Sequence, residues 1–283
     1  MASRRRIRAV VFDFGGVLIT PLTNQVGDLA GRHDTSLEEM LGVVIGPRDS
    51  GKHPWHCAER GELGVAEIQD LLAPWADEIG LTLHGDEVDV VLAPGSYTIV
   101  TPMVQRLARL RGEGIRTALL TNTFREFRPT LETIIDLSLF DCIIESYTVG
   151  ARKPEPAIYE ATAVALGVEH REIAYLDDFD QNLAPAEALG WTAIHVTDPV
   201  LAIAELDRVA RPNVNRPVNE PKSSARSQPT RERGQAPPTV APATTPPGRT
   251  VLAARHRRPL RSAARRSRGR HRRTRRCIVR RDE

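Results

Sequence analysis

The chain has 283 residues, 41% of them hydrophobic, which suffices for one large domain or two small ones. Its net charge of +3 combines two opposite parts: residues 211–283 hold 21 of the 39 Lys and Arg and 4 of the 36 Asp and Glu, giving +17 there and −14 before them. Three widely spaced cysteines argue against a disulfide framework, and no apolar run is long enough for a membrane span or a signal peptide, so we expect a cytoplasmic protein.

The first predicted strand covers residues 10–12, a β-branched and aromatic run that ends at Asp13. The pair Gly15-Gly16 follows, which indicates a sharp exit from the strand. Ligands of α/β sheets bind beyond the carboxyl ends of the strands, so Asp13 is a candidate functional residue. Taken alone, an acidic residue at a strand end is more often part of a turn or a helix cap.

Residues 21–98 show helical rather than alternating patterning. A capping box formed by Ser36 and Glu39 precedes one apolar set, and a second set follows at the same spacing. The two sets are Leu37, Met40, Leu41 and Val44, and Val65, Ile68, Leu71, Leu72 and Trp75. We therefore predict a small helical cap inserted after the first strand, with these apolar faces packed against each other.

From residue 99 to about 210, predicted strands alternate with predicted helices. The predicted strands are 115–120, 142–145, 173–176 and 192–196. The predicted helices begin at Thr101 as N-cap, at Phe124, at Pro156, at Leu183 and at Val200, and the second of them ends at Ile135. The helix from Pro156 has four apolar residues on or near one face: Ile158, Ala161, Val164 and Leu166. This alternation predicts right-handed βαβ units and an α/β fold with a doubly wound parallel sheet covered on both faces. The core would comprise residues 7–20 and 99–210.

The composition of residues 211–283 predicts a disordered, Arg- and Pro-rich tail. It holds 10 of the 21 prolines and no aromatic residue, so it cannot bury enough apolar surface to offset its ordering entropy. The 14 arginines between Arg255 and Arg281 have two interpretations, of which the second is preferred. They could make weak, non-specific contact with nucleic-acid phosphates, or form a charged extension without a role of its own.

Side chains that could take part in catalysis lie next to the ends of four predicted elements. They are Asp13 after the first strand, Thr121 and Asn122 after the second, Lys153 before the helix opened by Pro156, and Asp177 and Asp178 after a later strand. In a doubly wound sheet these ends meet at one edge. Such a pocket suits phosphoryl transfer, because a carboxylate can form an aspartyl-phosphate, paired carboxylates can hold Mg²⁺, and lysine offsets phosphoryl charge.

In this order the motifs resemble those of the haloacid dehalogenase superfamily. The sequences around Thr121, Lys153 and Asp178 look most similar to the N-terminal phosphatase domain of soluble epoxide hydrolase and its bacterial relatives. The resemblance covers residues 7 to about 208. It implies a Rossmann-like core with a helical cap, and a hydrolase that removes phosphate from a small phosphorylated metabolite with the help of Mg²⁺.

The resemblance also implies a role for each motif residue. Asp13 would be the nucleophile that carries the phosphoryl group. Thr121 and Asn122 would bind the phosphoryl oxygens. Lys153 would bind them too and would stabilise the covalent intermediate.

A Mg²⁺ site is implied by the same resemblance. Asp13 and Asp178 would be carboxylate ligands, and Asp177 would support them. The backbone carbonyl of Gly15 would supply a further oxygen.

Position 15 departs from the family pattern. Phosphatases of this superfamily usually carry a second Asp two residues after the nucleophile, as general acid and base, where this chain has Gly15. General acid–base catalysis is worth roughly 10²–10⁴-fold. The sequence therefore leaves open a slow phosphatase, a substrate with a good leaving group, a substitute acid from the cap, or no turnover.

Two other functions remain as alternatives. A metal-independent dehalogenase, or another hydrolase, could use Asp13 on carbon, although the pair Asp177-Asp178 would repel a carboxylate substrate. A catalytically weak ligand-binding protein is the second alternative. Four cap residues are candidates for facing the pocket, although packing or solvent exposure is the preferred interpretation for each: His53, Trp55, His56 and Arg60.

Overall fold

A computed structural model describes residues 6–47, 51–84, 87–93 and 97–210. The predicted tail, residues 211–283, lies outside them. The described strands are β1 (Ala9–Phe12), β2 (Arg116–Thr121), β3 (Cys142–Glu145), β4 (Ile173–Asp177) and β5 (Thr192–His195). All neighbouring pairs are parallel, and the five strands form one sheet in the order β3-β2-β1-β4-β5.

The central strand β1 places Asp13 at the middle of the sheet edge. Phe12 lies between Leu119 of β2 and Leu176 of β4, and the Asp13 amide continues the ladder by donating to the Leu176 carbonyl at 2.9 Å. From β1 the chain runs outward through β2 to β3, then returns to β4 and β5 on the other side. The strand order thus reverses between β1 and β4, where open α/β sheets form ligand-binding crevices.

The described helices lie in two groups along the chain. The helices between β1 and β2 are α1 (Thr23–Arg32), α2 (Leu37–Val44), α3 (Pro54–Glu59), α4 (Val65–Asp77), α5 (Glu87–Leu92) and α6 (Thr101–Gly112). The later helices are α7 (Arg128–Ile134), α8 (Ser146–Val149), α9 (Pro156–Leu166), α10 (Asp180–Ala188) and α11 (Pro199–Val209). None of these helices is both long and apolar enough to cross a membrane.

Helices cover both faces of the sheet, as expected for a doubly wound fold. Val10 and Phe12 point to one face, where they pack with apolar side chains of α6 and α11. Ala9 and Val11 point to the other face and pack with α9 and α10. Because all four β1 side chains are fully buried, the strand reads as a continuous apolar run rather than an alternating one.

Helices α1 to α5 share a third apolar cluster, which Phe124 joins from beyond β2. Helix α2 begins with the predicted capping box, in which Ser36 and Glu39 exchange side-chain and backbone hydrogen bonds. The segment is therefore helical, as its patterning predicts. Its assignment as a cap domain of residues 21–98, set on a core of 7–20 and 99–210, stays a prediction.

Four helix starts differ from the sequence-based expectation, and α11 differs by one residue, since it begins at Pro199 instead of Val200. Thr101 is the first residue of α6 and Val100 is the N-cap, so the Thr101 hydroxyl does not cap the helix. The helix expected from Phe124 is a 3₁₀ turn over Arg125–Phe127 followed by α7, because Pro129 fits only the first turn of a helix. Helix α10 begins at Asp180, three residues before the predicted Leu183.

The apolar faces also differ in detail. Val164 of α9 is 79% exposed, and the buried face of that helix includes Tyr159 and Thr162. Leu37 and Leu71 are 43% and 45% exposed, although both were expected among the packed residues of the insert. Periodicity alone places an apolar residue near a face, whereas the neighbouring elements decide whether that face is covered.

Candidate active site

A cavity opens at the carboxyl edge of the sheet, beside β1 and β4. Six of the seven predicted site residues line it: Asp13, Gly15, Thr121, Asn122, Lys153 and Asp178. Asp177 lies directly behind them and is fully buried. Leu22 before α1, Leu41 of α2 and Trp55 of α3 form part of the cavity wall.

Asp13 is buried beside one cation and two carboxylates. Its Oδ1 accepts hydrogen bonds from the Phe14 amide at 2.7 Å and contacts Lys153 Nζ at 2.7 Å. Burial raises the pKa of the Asp13 carboxyl well above its usual value, Lys153 opposes this, and Asp177 and Asp178 add to it. The ionised form that a nucleophile requires therefore depends on nearby positive charge.

Lys153 supplies part of that charge. The fully buried Nζ lies 2.7 Å from Asp13 Oδ1 and 2.8 Å from Asp177 Oδ2. Burial opposes the charge on the ammonium, but the attraction of both carboxylates outweighs it and raises the pKa of Lys153 above its usual value. The lysine is thus a fixed cation at every physiological pH.

Asn122 holds the backbone at this lysine. Its Oδ1 accepts from the Lys153 amide at 2.8 Å, and its Nδ2 donates to the Lys153 carbonyl at 3.0 Å. One Nδ2 hydrogen remains for a ligand. The neighbouring Thr121 hydroxyl makes only a long hydrogen bond of 3.4 Å, to the Asn122 carbonyl.

The adjacent carboxylates Asp177 and Asp178 have different surroundings. Asp177 accepts from Lys153 Nζ, the Tyr175 hydroxyl, Asn182 Nδ2 and the Phe179 amide, which leaves it saturated. Asp178 Oδ1 is buried with no hydrogen-bond partner among the described residues. Burial first, and then Asp177, raises the pKa of Asp178 to about 6, while Lys153 opposes the shift.

This arrangement of carboxylates fits a divalent cation. Oxygens of Asp13, Asp177 and Asp178 all lie within 4.8 Å of one another. Carboxylate oxygens are the ligands that Mg²⁺ prefers, and the unpartnered Oδ1 of Asp178 is a free one. A bound cation would also relieve the repulsion that raises the pKa values of Asp13 and Asp178.

The two glycines after the nucleophile have opposite surroundings. Gly16 has φ +72°, and a Cβ there would lie 2.0 Å from Asp178 Oδ2, so only glycine allows this close approach. A Cβ at Gly15 would meet no atom within 4 Å, and Gly15 does not adopt a left-handed backbone conformation. Position 15 therefore has open space where phosphatases of the superfamily usually carry a carboxylate.

Helix α3 supplies a polar group that the sequence analysis missed. Glu59 accepts from Trp55 Nε1 at 3.0 Å and from Arg152 Nε at 2.5 Å, and all three residues line the cavity. Arg152 adjoins Lys153 and could have been noticed for that reason. Glu59 gave no signal, because it lies 93 positions from its partner in the sequence.

The four cap candidates divide into two pairs. Trp55 and His56 line the cavity. His53 is packed away from it, with Nε2 3.1 Å from the Val43 carbonyl and Nδ1 accepting from the Trp55 amide. Arg60 instead binds Glu62 and Glu155.

Comparisons with known proteins identify relatives of this chain. The chain is 34% identical over 122 residues to bifunctional epoxide hydrolase 2 of Rattus norvegicus, a match that covers 41% of this chain and 22% of that enzyme. The chain thus spans about a fifth of that enzyme's length. It is 29% identical over 202 residues to the sesquiterpene phosphatase astK of Aspergillus oryzae, covering 70% of this chain and 94% of that enzyme.

Solved structures show the same fold. A haloacid dehalogenase family enzyme of Bacteroides thetaiotaomicron, solved with magnesium and inorganic phosphate, matches with a TM-score of 0.50 and 21% identity over 67% of this chain and 93% of that one. At this identity the likeness concerns the fold alone. The family model for haloacid dehalogenase-like hydrolases matches residues 7–190. The predicted resemblance is therefore confirmed, and the chain belongs to the haloacid dehalogenase-like hydrolase family.

Proposed function

We propose that this hydrolase is a Mg²⁺-dependent phosphatase that acts on a small phosphorylated metabolite through an aspartyl-phosphate. The observation that carries the proposal is the unpartnered, buried Oδ1 of Asp178, whose carboxylate lies within 4.8 Å of those of Asp13 and Asp177. A buried carboxylate oxygen without a hydrogen-bond partner in this position is suited to bind a cation. The match to a sesquiterpene phosphatase over 94% of that relative's length adds support.

The charges around the cavity favour phosphoryl transfer with a cation. Asp13, Glu59 and Asp178 line it together with Arg152 and Lys153. With Asp177 included, the acidic groups outnumber the basic ones by two, so an anionic phosphate ester would meet net repulsion. Mg²⁺ held by Asp13, Asp178 and the Gly15 carbonyl would offset that charge and neutralise the phosphoryl oxygens.

Each residue of the proposed site then has a specific task. A carboxylate oxygen of Asp13 attacks phosphorus, and the bond from phosphorus to the leaving oxygen breaks. The Lys153 ammonium, fixed by Asp177, stabilises negative charge on the phosphoryl oxygens beside Asp13. The Thr121 hydroxyl and the remaining Nδ2 hydrogen of Asn122 donate to the same oxygens.

The cavity wall supports a compact substrate with an apolar part. Leu22, Leu41, Ile45, Trp55 and Phe179 line the space beyond the polar residues. Apolar walls with few convergent polar groups are typical of small-molecule sites. We propose residues 21–98 as the cap that provides most of this wall.

The dehalogenase alternative requires the same Asp13 but no metal. Because the acidic residues exceed the basic ones around the cavity, a carboxylate substrate without a cation would be repelled. The family assignment favours an enzyme over a ligand-binding protein with little turnover. Metal dependence separates the phosphatase from the dehalogenase.

The test is hydrolysis of p-nitrophenyl phosphate by the full chain, with Mg²⁺ and with EDTA, beside Asp13→Asn. We expect Mg²⁺-dependent turnover that Asp13→Asn abolishes. Asp136→Asn is the matched control, since this exposed aspartate caps the 3₁₀ turn before β3 by accepting from the Ser138 amide and does not line the cavity. Turnover that persists in EDTA, or in Asp13→Asn, would contradict the proposal.

A further inference from the structure

His56 is a buried histidine in the cavity wall. The side chain is fully buried, and neither Nδ1 nor Nε2 has a hydrogen-bond partner among the described residues. Buried polar groups are nearly always satisfied, so a ring with two unused nitrogens calls for an explanation. Since His56 lines the cavity that holds Asp13, a molecule bound there is the available partner.

The neighbouring His53 shows that burial alone does not leave such a ring unpaired. Its centroid lies 5.6 Å from that of His56, and both of its nitrogens are engaged, with the Val43 carbonyl and the Trp55 amide. His53 does not line the cavity, whereas His56 does. His53 therefore has structural partners, whereas His56 faces the cavity.

Hydrolysis of an aspartyl-phosphate needs a base for the attacking water. The chain has Gly15 where that base usually stands, and a Cβ at Gly15 would meet no atom within 4 Å. The carboxylates that line the cavity among the described residues already have other roles: Asp13 is the proposed nucleophile, Asp178 is the proposed metal ligand, and Glu59 accepts from Trp55 and Arg152. Another group in the cavity wall must therefore act as the base for the water.

We propose that His56 is the general base that activates the hydrolytic water, a role that rests on the proposed phosphatase function. The water oxygen bonds to phosphorus, the bond between phosphorus and the Asp13 oxygen breaks, and its electron pair returns to the carboxylate. The water proton passes to a ring nitrogen of His56, which releases it to the departing phosphate or to solvent. Each turnover thus returns both residues to their starting state.

The electrostatics around His56 keep the ring neutral until substrate binds. Burial first, and then Arg152, His53 and Arg60, lower the pKa of His56 to about 3, so the ring is neutral before substrate binds. A phosphoryl group on Asp13 brings negative charge into the cavity, which favours the protonated ring. Basicity therefore rises at the stage where the base is needed.

The experiment is rapid-mixing kinetics of the full chain with p-nitrophenyl phosphate and Mg²⁺. Formation of the aspartyl-phosphate releases nitrophenolate as a burst, and its hydrolysis sets the steady-state rate. For His56→Gln we expect an unchanged burst rate and a steady-state rate about 10²-fold lower. The burst amplitude counts folded sites, so partial unfolding of a variant does not mimic the effect.

Two further variants complete the design. His53→Gln should lower the melting temperature without changing the ratio of steady-state to burst rate, because His53 has only structural partners. Gly15→Asp in the His56→Gln background should restore the steady-state rate, since it returns a base to position 15. Equal slowing of both phases in His56→Gln, or no slowing, would overturn the role of His56 while leaving the phosphatase intact. Absence of turnover by the unaltered chain would overturn both proposals.

Discussion

Replacing Gly15 with Asp should convert the open position beside Asp13 into a general acid. The substitution introduces no backbone strain, because Gly15 lacks a left-handed φ and a Cβ would meet no atom within 4 Å. The new carboxyl would join Asp13 and Asp178, and repulsion between like charges would raise its pKa. A raised pKa suits a group that must hold a proton near neutral pH.

The expected magnitude follows from which step needs the proton. General acid catalysis is worth roughly 10²–10⁴-fold, equivalent to about 3–5 kcal/mol of barrier. Since His56 is proposed to deprotonate the hydrolytic water, Gly15→Asp should mainly accelerate the first step, by donating a proton to the leaving group. We expect about a 10²-fold rise in kcat/KM for an alkyl phosphate, whose alkoxide requires a proton, and a much smaller rise for p-nitrophenyl phosphate.

The assay compares both substrates with the unaltered chain, Gly15→Asp and Gly15→Asn. The asparagine variant has the same shape as the aspartate variant but cannot transfer a proton, so it should show no gain with either substrate. Equal gains in Gly15→Asp and Gly15→Asn, or equal gains for both substrates, would refute the reasoning. A loss of thermal stability in the uncharged Gly15→Asn would also contradict it, since the structure predicts room for the side chain.

Three further outcomes concern the carboxylates and their neighbours. Gly16→Ala should lower the melting temperature by several degrees, because the new Cβ would lie 2.0 Å from Asp178 Oδ2 and strain a positive φ, at a cost of about 1–2 kcal/mol or more; unchanged melting would contradict the close approach. Without metal, the free energy of unfolding should fall by up to about 3 kcal/mol as pH rises from about 4 to about 6. Burial raises the pKa of Asp178 from 3.8 to about 6, so the folded state binds a proton that the unfolded state has lost. Urea titrations should show that this fall with pH is smaller in Asp178→Asn and is reversed by Mg²⁺. Asp177→Asn should cost about 3–5 kcal/mol in urea unfolding, because Lys153 would keep its buried charge with one carboxylate fewer; a loss below about 1 kcal/mol would show that Asp177 is not what holds the lysine.

The strands were more predictable than the helices. All five strands were anticipated, β3 with the same bounds, because a strand buried on both faces is a short, continuous apolar run between turn residues. The motif residues follow strand ends, so a parallel sheet necessarily brings them to one edge. Four helices were not anticipated, α1, α3, α5 and α8. The first three are short or mixed segments that depend on packing within the insert, and α8 is a single turn of four residues.

The sequence predicts which residues form the site better than it predicts the interactions between them. Which of Asp177 and Asp178 is saturated depends on Tyr175, Asn182 and Lys153 meeting around one carboxylate. The pairing of Glu59 with Arg152 joins an inserted helix to a loop 93 residues away, and no local pattern encodes such a contact. Sequence patterns report the local chain, whereas these contacts are set by tertiary packing.

The Glu59–Arg152 ion pair has a consequence for engineering substrate range. Both side chains are buried, and Arg60 makes a second link from the same helix end to Glu155. A chimera that received this helical segment from another hydrolase without a carboxylate at position 59 would leave the Arg152 charge buried and unpaired. The insert and the loop around Lys153 therefore form one exchangeable unit, and grafting has to move both halves of the ion pair together.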